Sequence, residues 1–289
     1  MQILINGIIS GSVIALLAVA FQAVYLPTRV FYIALAGIYA VTPFIAHACR
    51  IQGLPWPLTI AVSITAAVGL SLLIEWSNHA RLARRKAGDT VHLIASLGIY
   101  IVIVQTIAMV WGPTPKTLRS GIDSVTRYAD VIITGAQWTT FGVAVGLLSG
   151  FAFFLKRTKL GLRFRAMSDN TEQFALLGYD VGAYRYLGFA LAGFFCAAAS
   201  LVTAYDVGID PYTGLQALLL AIVAVIVGGR GSFLGPVLGA LILGVLRAEV
   251  VWYLSPRWQA AATFGLLATF LLLRPQGILG RSNRLEEKS

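Results

Sequence analysis

Residues 156–185, KRTKLGLRFRAMSDNTEQFALLGYDVGAYR, form the longest polar, charge-dense interruption in an otherwise apolar sequence. Apolar runs of near-bilayer length stand on both sides, so the stretch reads as a loop between membrane spans. Lys156, Arg157, Lys159, Arg163, Arg165 and Arg185 place it on the cytoplasmic side, where short loops retain basic residues. Within it, Asp169, Asn170, Thr171 and Glu172 have the cap-then-acid spacing of a helix start, and Gly178 sits where a helix would stop. The expectation is a surface helix of about two turns, with Phe174 and Leu177 on one apolar face. Such a helix is shaped to lie in a groove of another protein. Charge retention alone is the other reading of the loop.

The surrounding composition fixes the class. Of 289 residues 58% are apolar and 12% charged, and the mean hydropathy is +0.80. These values describe a polytopic, all-α membrane protein and exclude an ordinary soluble domain. Apolar stretches fall at about 3–25, 31–48, 57–76, 91–111, 139–155, 184–204, 213–229, 233–252 and 259–273. That gives eight or nine spans in one transmembrane domain covering residues 1–289, because 213–229 and 259–273 are short enough to be re-entrant. The first stretch has no basic start and no clear cleavage site, so it is expected to be a retained helix. Residues 131–138 read as a short extended piece turning at Gly135, or as an early helix start.

Topology also accounts for the net charge of +10. Fourteen of the 22 basic residues lie in 77–90, 156–185 and 274–289. With all three segments inside, nine spans place the N-terminus outside and the C-terminus in the cytosol. All six tryptophans fall at or beyond predicted span ends, as interfacial rings do. The cations lack the aromatic interleaving of a nucleic-acid surface.

Catalytic and metal-binding patterns are missing from the sequence. Cys49 and Cys196 show no ligand spacing, and His47, His79 and His92 read as isolated residues at span ends. No Walker motif occurs, and the glycine-dense run 228–236 reads as a sharp turn, so any ATP use belongs to another subunit. Small residues four apart at Gly7/Gly11, Gly188/Ala192 and Gly235/Gly239 predict closely approaching helices. Gln22, Gln105, Thr203, Gln216 and an Arg247/Glu249 pair are the polar residues within spans. The glutamines are the candidates for a solute path, with helix-to-helix hydrogen bonding as the simpler role. Glu75, Asp89, Asp206, Asp210 and Glu249 sit near interfaces, which counts against ion coupling.

Several pieces, taken in order, resemble the permease subunits of branched-chain amino acid ABC importers, specifically the shorter of the two paired subunits. They are residues 6–18 (NGIISGSVIALLA), 96–99 (SLGI) with Trp111-Gly112, 158–161 (TKLG) leading to Arg165-Ala166, 175–180 (ALLGYD), 228–232 (GGRGS) with Gly235, and 274–280 (RPQGILG). The resemblance implies that 156–185 is the coupling loop that docks on an ATPase. Asp169, Asn170, Glu172, Phe174, Ala175, Leu177 and Gly178 are then its contact residues. It further implies a bacterial inner-membrane location, a second permease subunit (similar or identical), two cytoplasmic ATPases that bind the ATP, a periplasmic binding protein and a small polar solute. No cofactor and no nucleic acid are expected on this chain. Two departures from the family text, residues 31–37 (FYIALAG) and 216–218 (QAL), keep urea and short amides beside branched-chain or other small amino acids as solutes. A stand-alone carrier or channel is the alternative of a different class.

Overall fold

Helix α1 (Gln2–Thr28) runs through the middle of the molecule, with every residue from Ala15 to Val24 buried. The computed structural model describes residues 1–85, 87–118, 125–128, 131–229 and 231–279. Lys86, Arg230 and the tail cations Arg281, Arg284 and Lys288 lie outside the described residues. Around α1 stand α2 (Leu35–Ile51), α3 (Trp56–Ile74), α5 (Asp89–Trp111), α6 (Gly135–Arg157), α9 (Val181–Asp206), α10 (Thr213–Gly228), α11 (Gly235–Tyr253) and α12 (Gln259–Leu273).

All nine predicted apolar stretches are therefore helical, and among the described residues six helices are long and apolar enough to cross a membrane. The three shorter ones are α2, α10 and α12, of 17, 16 and 15 residues. At 1.5 Å per residue they span about 22–26 Å, a little under a hydrocarbon core of about 30 Å. For α2 the deficit is made up inside the protein. Its lead-in is buried at Val30, Tyr32 and Ala34, and the Ala34 N–H donates to the Ser96 hydroxyl at 2.7 Å. Irregular backbone survives at such depth only where protein satisfies it.

Close backbone contact explains why α1 is central. A Cβ on Gly7 would lie 2.8 Å from the Val245 Cα, and one on Gly11 would lie 2.9 Å from the Ala240 carbonyl oxygen. The predicted pair Gly7/Gly11 thus forms the α1–α11 seam, Gly235/Gly239 meets Gly228 and Ala224 in the α10–α11 seam, and Gly188 meets the Ala23 carbonyl across the α1–α9 seam.

One end of the bundle gathers basic segments and is called here the basic end. It holds the end of α1, the helices α7 (Lys159–Asp169) and α8 (Thr171–Leu176), and the tail, whose Ile278 and Leu279 N–H groups donate to the Val227 and Gly228 carbonyls. The other end carries an antiparallel hairpin, β1 (Val125–Tyr128) and β2 (Val131–Thr134), with Val125 opposite Thr134. Gln2 clips α1 to this hairpin, donating to the Ile132 carbonyl at 2.8 Å and accepting from its N–H at 2.7 Å. Both readings of 131–138 hold in part: the strand ends at Thr134, which caps α6 through a reciprocal pair with Gln137.

Two predicted loops are helical. Residues 77–85 continue α3 through a π-helical turn (Glu75–His79) into α4 (Ala80–Arg84), so Arg81 and Arg84 stand on a helix. A little over a third of the 156–185 stretch is α7, started by Thr158, whose hydroxyl accepts from the Gly161 N–H at 3.0 Å. Its buried Gly161, Phe164, Met167 and Ser168 keep helical spacing, which the dense charges around them obscured. A Gly244→Leu change should overpack the α1–α11 seam by about 1–3 kcal/mol or more. Thermal unfolding of the detergent-purified chain checks this, with the exposed Gly69→Leu as the near-neutral control.

Candidate functional site

At the basic end α8 is fastened on three sides. The Asn170 side chain accepts from the Gln173 N–H at 3.0 Å, and the Thr171 hydroxyl donates to the Met167 carbonyl and reaches the Pro27 carbonyl of α1 at 3.4 Å. Beneath it Phe174 is buried, stacked on Tyr179 at 4.9 Å and edge-on to Tyr184 at 5.1 Å. Beyond it Gly178, at φ +82°, turns the chain toward Asp180, whose carboxylate caps α9 by accepting from the Gly182 and Ala183 N–H groups. Arg163 lies over the Tyr179 ring at 5.0 Å, and its hydrogen bond to Tyr184 raises its pKa further.

Outward are Asp169, Asn170, Glu172, Gln173, Ala175, Leu176, Leu177 and Gly178. This differs from the sequence expectation in one respect. Phe174 and Leu177 do not share a face, because the helix ends at Leu176 and Leu177 caps it, so their spacing of three is no longer a helical repeat. The exposed apolar knob is Leu176 with Leu177, at 87% and 73% exposure, and Phe174 anchors it from below. Leu176 was legible in the sequence as the apolar neighbour of Leu177, but the assumed face excluded it.

A buried polar cluster adjoins this segment. Arg185, in the second turn of α9, donates to Glu75 at 2.9 Å, and Glu75 is only 1% exposed. His79 and His92 are not isolated: their Nδ1 atoms are 3.1 Å apart, and both rings are buried. The π-helical turn carries Glu75 and His79 inward together, and Tyr32 meets His79 edge-on and hydrogen-bonds Ser71. Glu75 is thus an internal ion-pair partner, where the sequence placed it near an interface. The pair ties the helix that follows α8 directly to α3.

The three path glutamines do not converge. Gln22 is fully buried and donates to the Ser232 carbonyl at 3.2 Å, binding α1 to the turn before α11. Gln105 stands on the uncovered face of α5. Only Gln216 lines a cavity, one of about 440 Å³ at the hairpin end. Asn6, Ser10, Thr140, Thr203 and Arg247 share its wall. A second cavity of about 280 Å³ opens at the basic end, lined by Leu26, Lys156, Arg165, Asp169 and Phe233 among others. Along α1, Leu17 lines the first and Leu26 the second, and between them Ala18 to Val24 are at most 1% exposed. About 13 Å of filled protein along that helix therefore separates the two. Arg247 does not pair with Glu249, its neighbour two residues on; its guanidinium donates to Gln259 at 3.1 Å and Thr263 at 3.5 Å on α12.

Comparison with known proteins agrees with this architecture. The model of the family described as branched-chain amino acid transport system / permease component matches residues 3–273. The high-affinity branched-chain amino acid transport system permease protein LivH of Escherichia coli is 27% identical over 296 residues, covering 97% of this chain and 96% of that protein. BraD of Pseudomonas aeruginosa, a permease protein of the same kind of system, is 26% identical over 294 residues with the same coverages. The autoinducer 2 import system permease protein LsrC of Escherichia coli is 26% identical over 74% of this chain and 63% of its own length. Among solved structures, PsaBC from Streptococcus pneumoniae in complex with Fab shares the fold at a TM-score of 0.55 and 15% identity, over 96% of this chain and 93% of that one.

Removing the carboxylate in Glu75→Ala leaves the Arg185 guanidinium without its ionic partner and should cost about 3–5 kcal/mol, whereas Glu75→Gln, which keeps a hydrogen-bond acceptor, should cost less. Thermal unfolding of the two variants in detergent orders them.

Proposed function

The chain belongs to the branched-chain amino acid transport system permease family, and from that premise we propose that it is the membrane subunit of a binding-protein-dependent importer for branched-chain or other small amino acids. It is a multi-pass inner-membrane permease component of ABC type. In our reading one domain spans the whole chain, the basic end faces the cytosol, and the N-terminus faces the periplasm. Two cytoplasmic ATPases bind and hydrolyse ATP, a second permease subunit pairs with this one, and a periplasmic protein delivers the solute. The coupling loop 156–185 docks on an ATPase through Asp169, Asn170, Glu172, Ala175, Leu177, Gly178 and the added Leu176, with Phe174 as the internal anchor.

The observation that carries this reading is the exposed α8 knob on a rigid mount. A docking element transmits force only if it cannot slide on its own protein. Here Phe174, Thr171 and the Asp180 cap fix it to α9 and α1. Movement of α8 then reaches α3 through Arg185 and Glu75. Nucleotide drives the cycle by binding one arrangement of the complex more tightly than the other. Gln105, exposed on α5, suits a path between the paired permeases, and Gln216 suits the periplasmic mouth. Urea or a short amide is the second solute reading, favoured by the amide and hydroxyl groups around the larger cavity.

Reconstitution with the ATPases and binding protein tests the class. Uptake is expected to need ATP, and uptake by this chain alone, without nucleotide, would identify a carrier or channel instead. Leu176→Asp and Glu172→Lys should each weaken ATPase co-purification by about tenfold or more while membrane insertion is retained. Gly178→Pro should do the same, because proline cannot adopt the positive φ found there. A cysteine at Leu176 should react with impermeant maleimide only in inverted vesicles; labelling from the periplasm would reverse the topology.

A further inference from the structure

Arg247 is a charged group in a costly place. It sits six residues before the end of α11, so it lies about 9 Å inside the helix from its hairpin end. It is half-buried, and among the described residues its guanidinium hydrogen-bonds the neutral Gln259 and Thr263. A guanidinium held by neutral groups at that depth is missing the anion that would offset its desolvation. The neighbours position it without neutralising it. Gln259 and Thr263 share one face of α12, and together they fix the guanidinium against the wall of the 440 Å³ cavity.

Polar groups from several helices interrupt an otherwise apolar wall. Asn6, Thr140, Thr203 and Gln216 contribute amides and hydroxyls from four different helices, and Asp206 also lines the cavity. Gln216 is exposed toward this space. A cavity meant for a lipid chain would be apolar, as is the neighbouring pocket lined by Trp56, Ile60, Ile64, Leu147 and Phe194. The Arg247 cavity's volume falls within the range of about 300–1,000 Å³ typical of small-ligand sites.

We propose that this cavity is a solute-binding site within the permease itself, in which Arg247 receives the carboxylate of a small amino acid. Planar guanidinium and carboxylate groups match in a two-pronged hydrogen bond, which lysine would not reproduce. The amide and hydroxyl oxygens accept from the ammonium group, and the apolar walls at Ile14, Leu17 and Leu220 take an aliphatic side chain. The cavity is closed toward the basic end by the buried middle of α1, so it holds solute on the side from which the binding protein delivers it. The assignment rests on the importer reading and adds a carboxylate-selective step after delivery.

The test uses the full chain in phosphatidylcholine nanodiscs and measures binding of L-leucine, L-leucinamide and 4-methylpentanoate by saturation-transfer NMR. Leucine and 4-methylpentanoate should bind, and leucinamide, which lacks the carboxylate, should bind about ten- to a hundredfold more weakly. Arg247→Gln should abolish that preference without changing the elution volume or helical content of the chain, and Arg247→Lys should restore it only in part. Should Arg247→Gln fail to fold, Gln216→Leu and Thr140→Val serve instead, each expected to weaken leucine binding severalfold. Equal binding of leucine and leucinamide to the unaltered chain, or unchanged binding in the variants, overturns the proposal. So does a stabilisation by phosphatidylglycerol that Arg247→Gln removes while leucine has no effect, which would identify a lipid phosphate as the anion. ATP-dependent uptake that persists while binding to the chain fails would sink this site and leave the importer reading intact. Nucleotide-independent uptake would do the reverse.

Discussion

The near-contact of backbones along α1 is the constraint from which the rest of the molecule follows. In a bilayer, helices gain little by hiding apolar surface from lipid, so their association rests on packing and on the few polar bonds between them. Gly7 and Gly11 bring α1 against α11, and the Ala23 carbonyl meets Gly188 of α9. A helix enclosed this completely becomes a fixed post. Its buried middle divides the protein into two ends, and each end holds one of the two cavities.

Polar groups are then sparse, and each is placed where it links elements. Gln22 joins α1 to the turn before α11, Ser96 caps the irregular start of α2, and Gln2 clips the hairpin. The Arg185–Glu75 pair is the costliest of these links, since two charges leave water for one contact. Its position gives that cost a purpose. Arg185 stands five residues after the Asp180 cap of α9, so the ion pair couples the docking segment to the long α3 rather than merely gluing two helices.

The two ends differ in chemistry as an importer requires. The basic end presents a rigid apolar knob and a surrounding field of cations, suited to a macromolecular partner. Its opposite presents a largely apolar hollow into which hydroxyls, amides and Arg247 project, the site proposed above for a small amino acid. The same buried helix mounts the knob at one end and closes the hollow from that end, so both features rest on one packing arrangement.

Much of this was legible in the residues taken in order. Apolar run length, tryptophan placement and the clustering of cations indicated eight or nine helical spans and a charged loop, because the thickness of a bilayer and the charge asymmetry across it act on local sequence. Small residues spaced by four announced the helix seams for the same reason. The small helix α8 was also readable from its caps, while α7 was hidden by the charges that surround its buried face. The sequence by itself thus determined the class, the main elements and the position of the charged segment between spans. Only the tertiary structure decided that Phe174 points inward and Leu176 outward, that His79 meets His92, that Glu75 pairs with Arg185, and that Arg247 turns to α12 instead of Glu249. Those facts depend on which face of a helix finds a neighbour on another element, 110 residues away for Glu75 and Arg185 but only 13 for His79 and His92 and 12 for Arg247 and Gln259, and no local pattern encodes the rotation of one helix against another.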